Sequence, residues 1–325
     1  RARLVRLKEP QLIYVLLDVR ARKTDAPPPA PPLNICLVLD RSTSMKDAKM
    51  DLLKAAAIQF LREMRPEDVF SVVSFSDRAE VVIPASYQKD RHKLEAQIRD
   101  IQASGATELF QGLECGLNEV RRSLGSRYVN HLILLTDGHT YGDEQACLDL
   151  AQQAGEQGMG ISVMGIGTDW NDTFLDQVAS RTGNTSRYIA RPQDIQKFLT
   201  EKFHELTRVL AEEITLEFAP SPGVELNYAF RLQPEAGPLS FGAPMHLGPV
   251  LWDTHLSVLF EFLIQPSAIG AGGLCFLEGD LKITIAARPA PLPPIRIRFE
   301  REAADTPDPT PPPSAILQAL SRLKL

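Results

Sequence analysis

Asn34-Ile-Cys-Leu-Val-Leu-Asp-Arg-Ser-Thr-Ser-Met45 decides the reading of this chain. Uncharged residues run from Asn34 to Leu39, rich in Ile, Leu and Val, as in a strand buried on both faces of a parallel sheet. The run stops at a carboxylate, Asp40, followed at alternate positions by the hydroxyls of Ser42 and Ser44. Polar groups placed where a buried strand leaves its sheet can converge on one point. One carboxylate and two neutral hydroxyls are hard oxygen donors, which suit a small hard cation such as Mg²⁺ better than zinc or copper.

Three side chains cannot fill an octahedron, so further oxygens must come from elsewhere in the chain. Ser104-Gly-Ala-Thr-Glu-Leu-Phe110 puts Thr107 in a glycine-containing loop ahead of a helical pattern. His131-Leu-Ile-Leu-Leu-Thr-Asp-Gly138 is another apolar strand that ends in a carboxylate, Asp137. In an open α/β sheet the carboxyl ends of the strands share the ligand-binding edge, so Asp40 and Asp137 are expected to meet there.

Asp40, Ser42, Ser44, Thr107 and Asp137, in this order and with strands ahead of both aspartates, resemble the metal-ion-dependent adhesion site of the von Willebrand factor A domains. The likeness covers roughly residues 33–210, and bacterial members of that family are the nearest in kind. It implies a Rossmann-like, doubly wound, mostly parallel sheet. It also implies a divalent cofactor, Mg²⁺ first with Mn²⁺ or Ca²⁺ as alternatives, held by those five residues. Family precedent makes Ser42, Ser44 and either Thr107 or Asp137 direct ligands, with Asp40 and the remaining group acting partly through water. An ion held mostly by hydroxyls and water keeps net positive charge and an exchangeable position. A protein partner's Asp or Glu carboxylate can complete its shell, so the resemblance implies an interaction module rather than an enzyme.

Competing readings were weighed on the same residues. Magnesium-dependent hydrolysis or phosphoryl transfer wants a positioned base and a cation clamp. The nearby candidates, Arg41, Glu108 and His139, show no recognisable spacing, and no P-loop, GxGxxG or Ser-His-Asp order is present. A structural trunk with an idle metal site is the other alternative, and a metal-site domain followed by strands and helices is also similar in arrangement to vesicle-coat adaptor subunits. Arg41, His139, Tyr141 and Trp170 fall in loops on the metal edge and are the candidate rim for a partner, against the plainer reading of solvent-facing loop residues. Glu108 reads as an acid favoured by a helix N-terminus. His92, His131, His139, His204, His246 and His255 show no ligand spacing.

Outside this region the chain, 325 residues in all, is long enough for two domains. Leu12–Arg20 reads as a strand, cut off from the metal-site sheet by five prolines between Asp25 and Leu33. Alternating strands and helices follow, ending in a helix predicted over about 193–213. From Ile214 the period changes to that of an all-β segment of about five strands, an antiparallel sandwich that would accept Leu12–Arg20 as another. The expected division is 1–32 (sandwich strand and linker), 33–213 (metal-site domain), 214–304 (β-sandwich) and 305–325 (Pro-rich linker and a helix presenting Ile316, Leu317, Leu320 and Leu323). A net charge of −6 without a basic cluster argues against nucleic acid, and no apolar run approaches the roughly 20 residues of a membrane span. Cys36, Cys115, Cys147 and Cys275 lack disulfide or metal spacing and read as reduced, which points to the cytoplasm. The chain opens on Arg1 and stops at Leu325 inside an apolar pattern, so both ends read as cut from a longer protein.

Overall fold

The computed structural model describes residues 4–5, 8–21, 28–137, 143–167, 172–270, 272–285, 288, 292–306 and 313–323. Strands β1 (Leu4–Val5) and β2 (Gln11–Arg20) come first. The α/β part then runs β3 (Leu33–Asp40), α1 (Ala48–Glu63), β4 (Val69–Phe75), β5 (Ala79–Tyr87), α2 (Arg91–Arg99), α3 (Leu109–Arg121) and β6 (Val129–Thr136). It continues through α4 (Glu144–Glu156), β7 (Gly160–Ile166), α5 (Asp172–Ser180), β8 (Ser186–Ile189) and α6 (Ile195–Leu206). Then come β9 (Val209–Pro220), β10 (Val224–Gln233), β11 (Gly237–Pro238), β12 (Met245–Leu251), β13 (His255–Ile264), β14 (Leu274–Thr284), β15 (Ile295–Arg301), β16 (Ala303–Ala304) and α7 (Ser314–Leu323).

The α/β sheet has the order β5-β4-β3-β6-β7-β8 and is parallel except for the edge pair of β4 with β5. This is the expected doubly wound, mostly parallel Rossmann-like sheet. Its central strand is buried along its whole length, and its residues alternate between two cores. Leu33, Ile35, Leu37 and Leu39 pack with α1 and α6, while Cys36 and Val38 pack with α3, α4 and α5. Each fully buried Leu, Ile or Val contributes about 1.5–3 kcal/mol over exposure, so this strand is anchored from both faces. From β3 the chain winds one way to β4 and, through β6, the other way to β7 and β8. The crevice beyond the carboxyl ends of β3 and β6 is therefore the switch point, where open α/β sheets bind ligands.

The edge strand β5 runs through Pro84, where its register with β4 shifts between Val72 and Phe70. The amide of Ala85 is then free of the ladder and donates to the buried Glu119 carboxylate at 2.7 Å.

Two four-stranded sheets, β11-β10-β13-β2 and β12-β9-β14-β15, share a third core containing Leu216, Leu247, Phe260, Phe262 and Phe276. Leu12–Arg20 does join them: β2 pairs antiparallel with β13 from Gln11 opposite Ile264 to Arg20 opposite His255. The helix expected over 193–213 is corrected. It ends at Leu206, and β9 starts at Val209, pairing with β12 and β14. Leu210, Ala211, Glu212 and Glu213 are good helix formers, but two neighbouring strands offer ladder partners that outweigh local propensity. Strand β12, Met245–Leu251, is buried throughout and carries Gly248 and Pro249 in its middle. In α7 Ala319 is buried and the expected Ile316 and Leu320 are half-buried, Leu320 against the cluster that includes Leu259, whereas Leu317 is 49% exposed. The packed face thus keeps Ile316 and Leu320 of the one expected and leaves Leu317 outside it, and the side chain of Leu323 lies outside the described residues.

Candidate metal centre

Asp40 is the last residue of β3 and is wholly buried. Its Oδ1 accepts the backbone N–H of Ser42 at 2.7 Å, and its Oδ2 accepts the hydroxyl of Thr136 at 2.6 Å. Burial pushes its carboxyl up from the ordinary range and nearby Asp137 adds to this, while the Ser42 and Thr136 hydrogen bonds pull the other way. A cation at this point would remove the cost of keeping that carboxylate charged. From Asp40 the chain turns through a 3-10 turn, Thr43–Met45. Ser42 Oγ and Ser44 Oγ lie 2.9 Å apart, and Ser44 Oγ donates to Asp137 Oδ1 at 2.6 Å. Four of the five expected ligands therefore form one hydrogen-bonded series that begins at the end of β3 and finishes just past β6.

Thr107 is half-buried in the adjoining loop, which the backbone stitches to the Ser42 turn. Thr43 N–H and Oγ1 both donate to the Gly105 carbonyl, at 3.0 and 2.9 Å, and Ser104 N–H donates to the Arg41 carbonyl at 2.7 Å. Gly105 is required there: its φ is +84°, and a Cβ would sit 2.4 Å from Asp77 Oδ2. Glu108 is the residue before α3, with its side chain exposed and making no cap hydrogen bond; the Asp143 carboxylate instead accepts Phe110 N–H at 2.9 Å. Of the expected rim, Arg41 turns its guanidinium to Ser104 Oγ at 2.8 Å and so braces the Thr107 loop. His139, Tyr141 and Trp170 lie outside the described residues.

Two contacts were not anticipated. Thr136, next to Asp137 in sequence, holds Asp40 across the β3–β6 pair. Lys49, in the first turn of α1, donates to Asp137 Oδ2 at 2.5 Å. An alternating strand-end pattern could have suggested Thr136; nothing in the spacing of Lys49 distinguishes it from Lys46 or Lys54.

The donor set is oxygen throughout and holds only two carboxylates, with hydroxyls for the rest. That composition fits a hard divalent ion and does not fit the nitrogen- and sulfur-rich sets that zinc prefers. Consistent with this, no cluster of three or more His, Cys, Asp or Glu suited to a metal occurs among the described residues.

The family model for the von Willebrand factor type A domain matches residues 34–203. An uncharacterized Synechocystis protein is 31% identical over 192 residues, 58% of this chain and 46% of that protein. Human inter-alpha-trypsin inhibitor heavy chain H4 is 29% identical over 208 residues, 60% of this chain and 22% of that one. The chain thus spans less than half the length of these curated relatives. Among solved structures, a von Willebrand factor type A protein from Catenulispora acidiphila superposes with a TM-score of 0.70 at 18% identity, over 92% of this chain and 72% of that one. At that identity the likeness shows the fold.

Proposed function

Because the chain belongs to the von Willebrand factor type A family, we propose that it is a non-enzymatic interaction module that binds a protein partner through a divalent ion. Asp40, Ser42, Ser44, Thr107 and Asp137 would hold Mg²⁺, or Mn²⁺ or Ca²⁺, and an Asp or Glu of the partner would complete the shell. The observation that carries the reading is the hydrogen-bonded series Asp40–Ser42–Ser44–Asp137 at the switch point of the sheet. Adhesion sites of this family bind divalent metals, and the bound ion would supply the charge that draws an acidic partner.

The proposed division of the chain has the family domain inserted between β2 and the two four-stranded sheets that β2 joins. A structural trunk with a stabilising site is the second reading, favoured by Lys49, which already sets a cation against Asp137. Catalysis finds little support. Ser162 Oγ and His131 Nε2 are 2.9 Å apart, but both are buried, and burial holds the His131 imidazole well below its ordinary range. No helix among the described residues is long and apolar enough to cross a membrane. The four cysteines are free, which supports a reducing, cytoplasmic setting.

The test is metal-dependent stability and capture. Saturating Mg²⁺ at 100 times its Kd stabilises the wild-type chain by about 2.7 kcal/mol. Asp40→Ala and Asp137→Ala lose both this shift and chelator-sensitive partner capture. A wild-type melt that is indifferent to Mg²⁺, Mn²⁺ and Ca²⁺ rules out the metal site; a metal shift with chelator-insensitive capture leaves the trunk.

A further inference from the structure

We infer that Lys49 is a tethered competitor for the divalent ion, seated on Asp137 until the ion displaces it. The inference deepens the adhesion-site reading and rests on it.

Its first ground is how completely the two carboxylates are engaged. Asp40 accepts Ser42 N–H and the Thr136 hydroxyl, and Asp137 accepts the Ser44 hydroxyl and the Lys49 ammonium. All four oxygens have a donor, and of these four donors Lys49 alone carries charge. The second ground is where the ammonium sits. Asp137's side chain is 1% exposed, whereas that of Lys49 is 33% exposed. The Lys49 Nζ also lies near the end of β7, since a Cβ placed on Gly167 would be 3.9 Å from it. The ammonium is therefore held at the strand-end crevice, while the third of the side chain that meets solvent gives it room to swing outward.

An ion drawn to Asp137 by its negative charge meets a positive charge already in hydrogen-bond contact with that carboxylate. Two like charges about 4 Å apart oppose binding by about fivefold even at the dielectric of water, and by more in a partly buried crevice, where the two positive charges on the ion enlarge the effect. Lys49 thus leaves and the ion takes its oxygen. The exchange has two consequences. Without the ion, Lys49 neutralises a nearly buried carboxylate and keeps the edge folded. With it, a freed ammonium stands beside the exchangeable position, where an acidic group of a partner would dock. Lys49 then weakens the ion's affinity taken alone and couples ion binding to a change in charge at the rim.

The experiment titrates the whole chain with MnCl₂ by electron paramagnetic resonance and with MgCl₂ by calorimetry, comparing wild type, Lys49→Met, Lys49→Gln and Lys49→Arg. The expected result is roughly tenfold tighter Mn²⁺ binding in the Met and Gln variants and wild-type affinity in the Arg variant. In EDTA the Met and Gln variants melt below wild type, and saturating Mn²⁺ narrows or reverses that gap. Should those variants fold poorly, side-chain NMR of wild-type lysines reads the same event, since Mg²⁺ must shift the Lys49 ammonium signal. Equal or weaker binding by both neutral variants, or an unmoved Lys49 signal in a chain that demonstrably binds Mg²⁺, overturns the inference and leaves the adhesion site standing. No ion binding by wild type or variants overturns the adhesion-site reading itself, and this inference falls with it.

Discussion

The two ends of the α/β sheet both carry charge, and they treat it in opposite ways. At the carboxyl end, Asp40 and Asp137 face a crevice with Ser44 exposed and a single lysine laid across one carboxylate. At the amino end and along β8, charges are closed off against the two β-sheets. Glu235, in the turn between β10 and β11, receives Lys202 of α6 at 3.3 Å and Arg187 of β8 at 2.7 Å, along with the Thr185 hydroxyl. Arg231 of β10 is buried and donates to the carbonyls of Gly183 and Leu247 and, at 2.9 Å, to that of Glu235. Gly248 makes room for it: with φ +103°, a Cβ there would lie 2.0 Å from the guanidinium. The same residue types thus form a closed latch at one end and, at the other, a partly exposed edge where a single lysine covers one of the two carboxylates.

The largest expected effect breaks the latch. Burial works to raise the Glu235 carboxyl, but Lys202, the Thr185 hydrogen bond, Arg187 and Arg231 together bring it down to about 2. Glu235→Ala leaves Lys202 with Glu205 alone, at 3.2 Å, and Arg187 with Glu201. Removing one member of a buried network costs about 3–5 kcal/mol, and chemical denaturation with and without Mg²⁺ should show the same loss in both. A cost below about 1 kcal/mol, the range of an exposed pair, would mean the closed end is no latch.

A second substitution sharpens the contrast by relieving a strained spot at the closed end. A cavity of about 270 Å³ opens there between the α/β sheet and β9, lined by His131, Glu156, Lys202, Glu205 and Glu212 among others. Burial, then the neighbouring Glu213, raises the Glu212 carboxyl to about 8 from its ordinary 4.5. The folded chain therefore keeps this proton where the unfolded chain has released it. Stability present at low pH is lost progressively as pH rises from about 4.5 through about 8. Glu212→Gln removes that loss, so the variant should gain up to about 4 kcal/mol over wild type at pH 8, and almost nothing at pH 4. A gain that is equal at both pH values would assign it to something other than ionisation.

What the sequence disclosed divides along the same line. Leu33–Asp40 and His131–Asp137 announce themselves because a strand buried on both faces must be apolar without interruption, and a carboxylate at its end then stands out. Strand ends are local features, so Asp40, Ser42, Ser44 and Asp137 could be picked out as candidates, and the structure joins these four by hydrogen bonds. Lys49 was not, because its partner is 88 residues away and any lysine in the first turns of α1 reads as solvated surface. The latch was hidden for the same reason on a larger scale. Which glutamate meets Lys202 depends on how β10 docks against α6, and no periodicity encodes that. The boundary at Leu206–Val209 was lost to good helix formers that the tertiary ladder overrode.

The smallest effect concerns the open end, and it asks whether that edge is held under tension. Asp47, just ahead of α1, has φ +60° and ψ −131°, the one described non-glycine residue with positive φ. A side chain in such a sparsely populated conformation costs about 1–3 kcal/mol and persists only where its surroundings enforce it. Asp47 stands between the Ser42–Ser44 turn and Lys49, which is pinned to Asp137. Asp47→Gly offers the same backbone without the Cβ penalty, offset by the extra entropy a glycine loses on folding. The variant should melt higher by an amount equivalent to about 1 kcal/mol in EDTA. If the strain helps aim Lys49 into the crevice, the gain persists in Mn²⁺ while the ion binds no more weakly than to wild type. An unchanged or lower melting temperature would show that the turn carries no strain at Asp47, and the open end would then differ from the closed one in its exposure and in resting on a single lysine.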